Sequence, residues 1–271
     1  MSWRRVAAFI FPVLIFETIS TLSLGISAAH SQTVLPVEQI VDRMQQHDAA
    51  QSRELKHYES TRHYQVQYKG MGTHLAAAMD VDLNFDTATG KSFRIVSQSG
   101  SKLLCDKVLK RAVDSEEEAS KDKSSTALNA TNYRFELLGT ELVDGRPSYI
   151  LQVDPLRKSK FLYRGKVFVD ADDYAVTKIE VEPAQNPSFW ISSTHIENKN
   201  LKTGGVWLPE KNRSESKIRL GGTAVLTIDY GTYHVTLAAP PQAAYSQSGG
   251  HRSDASSEQA FGTSPIKGAA F

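Results

Sequence analysis

The chain has one cysteine, Cys105, among its 271 residues. An intrachain disulfide and any multi-cysteine metal site are thereby excluded. A surplus of one charge sign is also missing, since 31 Lys and Arg against 30 Asp and Glu leave a formal net charge of +1. A nucleic-acid-binding face would want a clustered excess of cations. An unbroken run of about 20 apolar residues, the length of a membrane-spanning helix, does not occur. The P-loop, dinucleotide and serine-hydrolase fingerprints are absent, as is an HExxH helix. The eight histidines are scattered without paired spacing.

What is present is a chain of ordinary globular composition, 40% hydrophobic and 23% charged. Its first residues carry Trp3, Arg4 and Arg5, then VAAFIFPVLIF, then a second apolar stretch after Glu17 that runs through Ile26. Small residues follow at Ser27, Ala28, Ala29 and Ser31. This pattern predicts a secretory signal peptide over residues 1–31, cleaved near Ala29 or Ser31. A transmembrane anchor is the alternative, against which Pro12 and Glu17 speak. No cysteine stands at the cleavage region to carry a lipid.

After Pro36, the residues Val37, Ile40, Val41 and Met44 fall at helical spacing, so an amphipathic helix is predicted from about Val37 to Lys56. The period then changes to two. Tyr58, Tyr64, Val66 and Tyr68 share one parity, and in the next run Leu75, Ala77, Met79, Val81, Leu83 and Phe85 do the same, with Asp80, Asp82 and Asn84 between them. That contrast is the mark of a strand with one dry face and one wet face. Thr89-Gly90 turns the chain into a third strand. From Ser101 the spacing of Leu104, Val108 and Ala112 predicts an inserted helix whose first half packs. Its second half, around Glu116–Asp122, is nearly all charged and is expected to stand in water.

From Tyr133 to Leu237 strand follows strand, joined at Asp144-Gly145, at Ala171 to Asp173, at Gly204-Gly205 and at Gly221-Gly222. No crossover helix separates them, so the sheet is antiparallel and a nucleotide-binding α/β fold is excluded. The predicted class is mainly β (α+β), a strongly curved antiparallel half-barrel meander with an N-terminal helix and one inserted helix, spanning 37–237. Residues 238–271 are rich in Ala, Ser, Gly, Gln and Pro and are predicted to be a disordered tail.

So many long strands must curl or close. The space they surround is filled by helices, by side chains or by a ligand. If by a ligand, the apolar parity supplies the groove: Leu75, Met79, Val81, Leu83, Phe85, Tyr149, Leu151, Phe161, Tyr163 and Val167, with Trp190 near a strand end to line its mouth. A side-chain-packed barrel is the alternative.

The signal peptide, the amphipathic helix before the first strand, and the segment GKVFVDADDYAVTKIEVEPAQNPSFWI followed by VWLPEKN resemble the LolA/LolB-like superfamily. The chain is most similar to its bacterial outer membrane lipoprotein-sorting relatives, over about Val37 to Leu237. The resemblance implies a half-barrel closed by helices, a hydrophobic cavity for acyl chains, and carrier or sensor activity in the periplasm.

The polar residues offer other candidate chemistry. Asp170, Asp172 and Asp173 can ligate a hard cation, but they are also ordinary turn residues and lack the spacing of an EF-hand loop. Asp80 and Asp82 share the wet face of one strand. His195 and Glu197 share a strand face and can act as a base and its orienter, with no third partner to name. Cys105 falls on the packed half of the inserted helix, near Lys102 and Lys107. Arg157, Lys158 and Lys160 form a basic turn suited to lipid headgroups or to plain solvation. The reading is a non-enzymatic exported carrier that binds a lipid or acylated lipoprotein, with no cofactor, metal or nucleic acid. The alternative is an envelope sensor or scaffold that binds a protein partner.

Overall fold

A computed structural model describes residues 35–121, 123–186 and 188–238. The predicted signal peptide and most of the predicted tail lie outside the described residues. Helix α1 (Val37–Glu54) buries Ile40, Val41 and Met44, the stripe that the spacing predicts, and passes without a loop into strand β1 (Leu55–Gly70). Strands β2 (Thr73–Asp86) and β3 (Gly90–Gly100) complete the first arm.

The inserted segment then runs as α2 (Lys102–Leu104), a π-helical turn (Cys105–Leu109), α3 (Lys110–Lys121) and the short α4 (Lys123–Thr126). Strands β4 (Tyr133–Val143), β5 (Arg146–Pro155), β6 (Tyr163–Asp170) and β7 (Val176–Pro183) follow. The chain ends in β8 (Ile191–Thr203), β9 (Val206–Ile218), β10 (Thr223–Tyr230) and the short β11 (His234–Leu237).

All pairings are antiparallel, and the spatial order is β3-β2-β1-β10-β9-β8-β7-β6-β5-β4, with β11 continuing beside β1 past the end of β10. The sheet is mostly β, open, and has β3 and β4 as its two edges. This order explains the inserted helices. β3 and β4 are consecutive along the chain yet lie at opposite edges, so residues 101–132 must cross the whole sheet. Ten strands laid flat would span about 43 Å at ~4.8 Å per spacing. A helical run from Lys102 to Lys121 covers only about 30 Å at 1.5 Å per residue. Residues 123–132 supply the rest of the crossing over the face around which the sheet curves.

The sequence reading separates strands Val206–Pro209 and Asn212–Leu220 and keeps Thr223–Leu237 whole, and the structure differs at both places. Val206–Ile218 is one strand, because the pairing slips by a bulge near Pro209 instead of breaking there. The run from Thr223 to Leu237 divides at Gly231, whose N–H reaches the Thr61 carbonyl and whose surroundings bend the chain off β10.

Candidate functional site

Directly paired residues of antiparallel neighbours share a face, so the register can be followed across the sheet. One row runs Met79, Tyr64, Ile228, Asn212, Asn198, Ile179, Val167, Leu151, Leu137. The next runs Ala77, Val66, Leu226, Ser214, Ile196, Val181, Gly165, Val153, Phe135. These rows are the inner face. It is not apolar throughout: β8 and β9 put a polar seam across it. Thr194 and Ser216 share a hydrogen bond of 2.9 Å, and the Asn198 amide donates to Asn200, whose own amide donates to the Val176 carbonyl.

On one side of the seam the inserted segment packs tightly. Leu104, Cys105, Leu109 and Val113 lie on Tyr64, Val66, Ala77, Met79, Val81 and Ile228. Beside them Leu55, Tyr58, Leu83, Val206 and Leu208 form a second cluster. On the other side Leu151, Val153, Val167 and Val181 are buried. Phe135, Leu137, Ile179 and Ile196 are on the same face but stay half-buried, whereas half-buried Leu226, on β10, packs with the inserted segment's cluster. Gly165 carries no side chain into the row. A Cβ there would press on the Glu180 carbonyl oxygen and lie 2.9 Å from the Val181 Cα, at a φ of +141°.

Beneath α3 lies the most unusual feature of this face. Arg62 has the parity of Tyr58, Tyr64 and Val66 and is only 1% exposed. Its Nη1 donates to Glu116 Oε2 of α3 at 2.5 Å, and Lys91 donates to the other Glu116 oxygen at 2.7 Å. The guanidinium lies over the rings of Tyr230 and Phe93, 4.6 and 5.5 Å from their centroids, while its Nε has no partner. Burial pushes the Glu116 carboxyl up, but Lys91 and Arg62 outweigh it and hold the group below its ordinary value. Burial opposes the charge of Arg62 in the same way, and Glu116 more than restores it. Burial also raises the Tyr58 phenol to about 12 and the Tyr230 and Tyr233 phenols further.

The acidic turn is structural. Asp170 is buried, accepts a two-pronged bond from Arg146 at 2.5 and 2.9 Å, and accepts the backbone N–H groups of Asp172 and Asp173. Asp173 takes the Trp207 indole N–H and the Lys202 ammonium. Helix α1 docks at this end, with Arg43 donating to the Tyr174 hydroxyl and Gln51 exchanging two bonds with the Trp207 backbone. Among the described residues no group of three or more His, Cys, Asp or Glu is placed to hold a metal ion.

The outer face of β1–β3 is polar and encloses a groove of about 680 Å³ lined by Glu59, Thr61, Asp82, Asn84, Ser92 and Arg94 with Thr232 and His234. Next to it His63 Nδ1 lies 2.6 Å from Asp80, Ser97 donates to the other Asp80 oxygen, and Gln65 meets His63 Nε2 at 2.8 Å. These bonds hold the Asp80 carboxyl below its ordinary value. The order is wrong for activating a nucleophile, because the serine faces the carboxylate and not the imidazole. His195 and Glu197 do meet, at 3.4 Å, on this exposed outer side.

Solved structures with a similar course of chain are known. A DUF1329 family protein from Desulfovibrio piger is 14% identical, with 74% of this chain and 93% of that one covered and a TM-score of 0.37. A LolA superfamily protein from Nitrosomonas europaea is 12% identical over 76% and 96%, with a TM-score of 0.33. An outer membrane lipoprotein-sorting protein domain from Vibrio parahaemolyticus is 11% identical over 74% and 94%, with a TM-score of 0.38. No family model and no curated protein matches the chain.

Of the residues proposed to line a groove, Leu75, Met79, Val81, Leu83, Phe85, Tyr149, Leu151, Tyr163 and Val167 do lie on strands β2, β5 and β6. The seam divides them into two groups. Met79, Val81 and Leu83 are closed in by neighbouring side chains, while Phe85 stacks on Tyr58 and Tyr149 on Tyr174. Phe161 precedes β6 with Lys160 over its ring. Trp190 stands on the turn before β8, exposed against Phe189. The charged half of the inserted helix is not wholly in water either, since Glu116 turns inward. Arg62 and Glu116 were overlooked. Strand parity alone places Arg62 on the dry face, although a charged residue is seldom fully buried without a partner.

Proposed function

We propose that the chain is an exported, non-catalytic binding protein that holds the acyl part of a lipid or lipoprotein against the inner face of its sheet. The observation that supports this reading is the half-covered apolar strip. Phe135, Leu137, Ile179 and Ile196 come from three strands, β4, β7 and β8, share the inner face, and lie to either side of the side-chain-free position at Gly165 on β6. A methylene chain laid there gains about 0.8 kcal/mol for each CH₂ removed from water, with no polar contact needed. The inserted helix is the element that would move to lengthen the strip, because it reaches the β1 side through the Arg62–Glu116–Lys91 bonds and the cluster at Leu109 and Val113. Among the described residues no helix is long and apolar enough to cross a membrane. Native mass spectrometry of the protein from a periplasmic extract, with solvent extraction of anything bound, tests the reading. A co-purifying lipid, or uptake of added phospholipid, supports it. Bare mass and no uptake sinks it.

A second reading, an envelope sensor or scaffold that binds a protein partner, is favoured by the polar outer groove of about 680 Å³ on β1–β3. That groove offers the Glu59 and Asp82 carboxylates, the Asn84 amide and Arg94 to a polar segment, with Leu83 and Phe93 also in its lining.

A further inference from the structure

The turns of an antiparallel sheet alternate between its two ends, so the connections β1–β2, β7–β8 and β9–β10 fall at one end. Each carries a large apolar side chain held out to solvent. Met71 is 78% exposed, Phe189 76%, Trp190 56% and Leu220 66%. They are neighbours through the backbone. Arg219 donates its backbone N–H to the Trp190 carbonyl and its Nε to the Phe189 carbonyl, with its guanidinium over the Phe189 ring. A Cβ at Gly221 would touch the Met71 side chain at 3.7 Å. Met71 also sits at a φ of +51°, a left-handed conformation that turns ordinarily give to Gly, Asn or Asp. The chain therefore places an apolar residue where backbone preference would choose otherwise.

The charges nearest these tips are mainly basic, the exposed Glu182 near the end of β7 standing opposite Arg164 as the exception. Lys69, Thr223 and Lys217 stand side by side in register just behind them, both lysines exposed, and Arg219 is exposed among them. Residues 71–72, 184–190 and 219–222 contain no Asp or Glu.

We propose that this end of the sheet docks on an anionic bilayer surface, with the Met71, Phe189, Trp190 and Leu220 side chains entering the headgroup boundary and Lys69, Lys217 and Arg219 meeting lipid phosphates. Projecting tips on separate turns, with an aromatic pair and a basic fringe, match the interfacial pattern of peripheral membrane proteins. A protein partner would be expected to meet a broad, continuous patch, whereas these side chains stand on separate points. The inference rests on the rim alone and not on the acyl-binding strip.

The test places an environment-sensitive fluorophore at Leu220→Cys, in a Cys105→Ser background, with Leu142→Cys as the control. Leu142 is exposed just before the β4–β5 turn, at the opposite end of the sheet. Both labels ride on the same full chain, so any attachment through its N-terminal apolar segment is common to the two. With phosphatidylglycerol vesicles the Leu220 label should shift to the blue and brighten severalfold, less so with phosphatidylcholine, while the Leu142 label stays unchanged. Adding Lys69→Gln or Lys217→Gln should raise the half-saturating lipid about fivefold, the factor for about 1 kcal/mol per basic residue at an anionic surface. Equal shifts at both labels, or none at Leu220, overturn the proposal. A Leu220 response to a soluble envelope extract but never to vesicles overturns it too and assigns the rim to a protein. Loss of this signal would leave lipid uptake in the mass-spectrometric assay untouched, so the two readings fail separately.

Discussion

The guanidinium of Arg62 on β1 meets the carboxylate of Glu116 on α3 at 2.5 Å, inside the face that the sheet curls around. Such a pair adds little over an apolar replacement, but losing one partner strands a buried charge. Glu116→Ala should lower unfolding stability by about 3–5 kcal/mol. The double replacement Arg62→Met with Glu116→Leu should lose much less. Urea denaturation of both, with equal m-values, checks this. A double variant as unstable as Glu116→Ala would show that the bonds themselves supply the stability.

The same pair sets a response to acid. The Glu116 carboxyl is held below its ordinary value of 4.5, because Lys91 and Arg62 outweigh the opposing effect of burial. A depressed carboxylate contributes stability that is complete above the unfolded value and is lost as pH falls through the folded one. Burial likewise opposes the Asp170 charge, and the bonds from Arg146 and from the Asp173 and Asp172 N–H groups overcome it. Stability should therefore be flat above about pH 5 and fall steadily below the ordinary carboxylate range. In Glu116→Gln the fall should be shallower. An unchanged acid limb in that variant would remove Glu116 from the account.

The alternation of Met79, Val81 and Leu83 with Asp80 and Asp82 was enough to assign β2 and its dry face, because one period and one face decide both. The Asp170–Asp173 turn was equally legible, since short acidic side chains bond their own backbone. The sheet order was not. Val66 pairs with Leu226, 160 residues away, and no local signal records that junction. Nor was the polar seam legible, because Asn198, Asn212 and Ser214 look like wet-face residues until the register places them inside. Trp190 was placed near a strand end, and the chain is still turning there, one residue before β8. Arg62 shares the parity of Tyr58, Tyr64 and Val66, but a charged side chain carries no hydrophobic signal for the dry face.

Gly165→Ala tests the tight approach of β6 to β7. The φ of +141° is one that a side chain rarely adopts, and the new Cβ would press on the Glu180 carbonyl. Strain at such a position costs about 1–3 kcal/mol before any clash is counted. The variant should unfold at lower denaturant by at least that amount. Gly145→Ala, with nothing near its Cβ, should lose less although its φ is also positive. Equal losses would mean that backbone conformation alone, and not the closeness of β7, governs Gly165.

The acyl-binding reading makes its sharpest demand on Ile179 and Ile196. Both are half-buried on the inner face, on β7 and β8, so a carboxylate there can still find water in the free protein. Leu83, closed within its cluster, is a poorer choice because a charge would unfold it. Ile179→Asp or Ile196→Asp should leave the circular dichroism spectrum and thermal midpoint near those of the parent. Lipid uptake should nevertheless drop by roughly tenfold or more, about 1.4 kcal/mol of affinity, since the chain must lie against a charge that it dehydrates. Leu142→Asp, just before the β4–β5 turn, should leave uptake unchanged. Full uptake by folded Ile179→Asp and Ile196→Asp variants would move the lipid off this strip altogether.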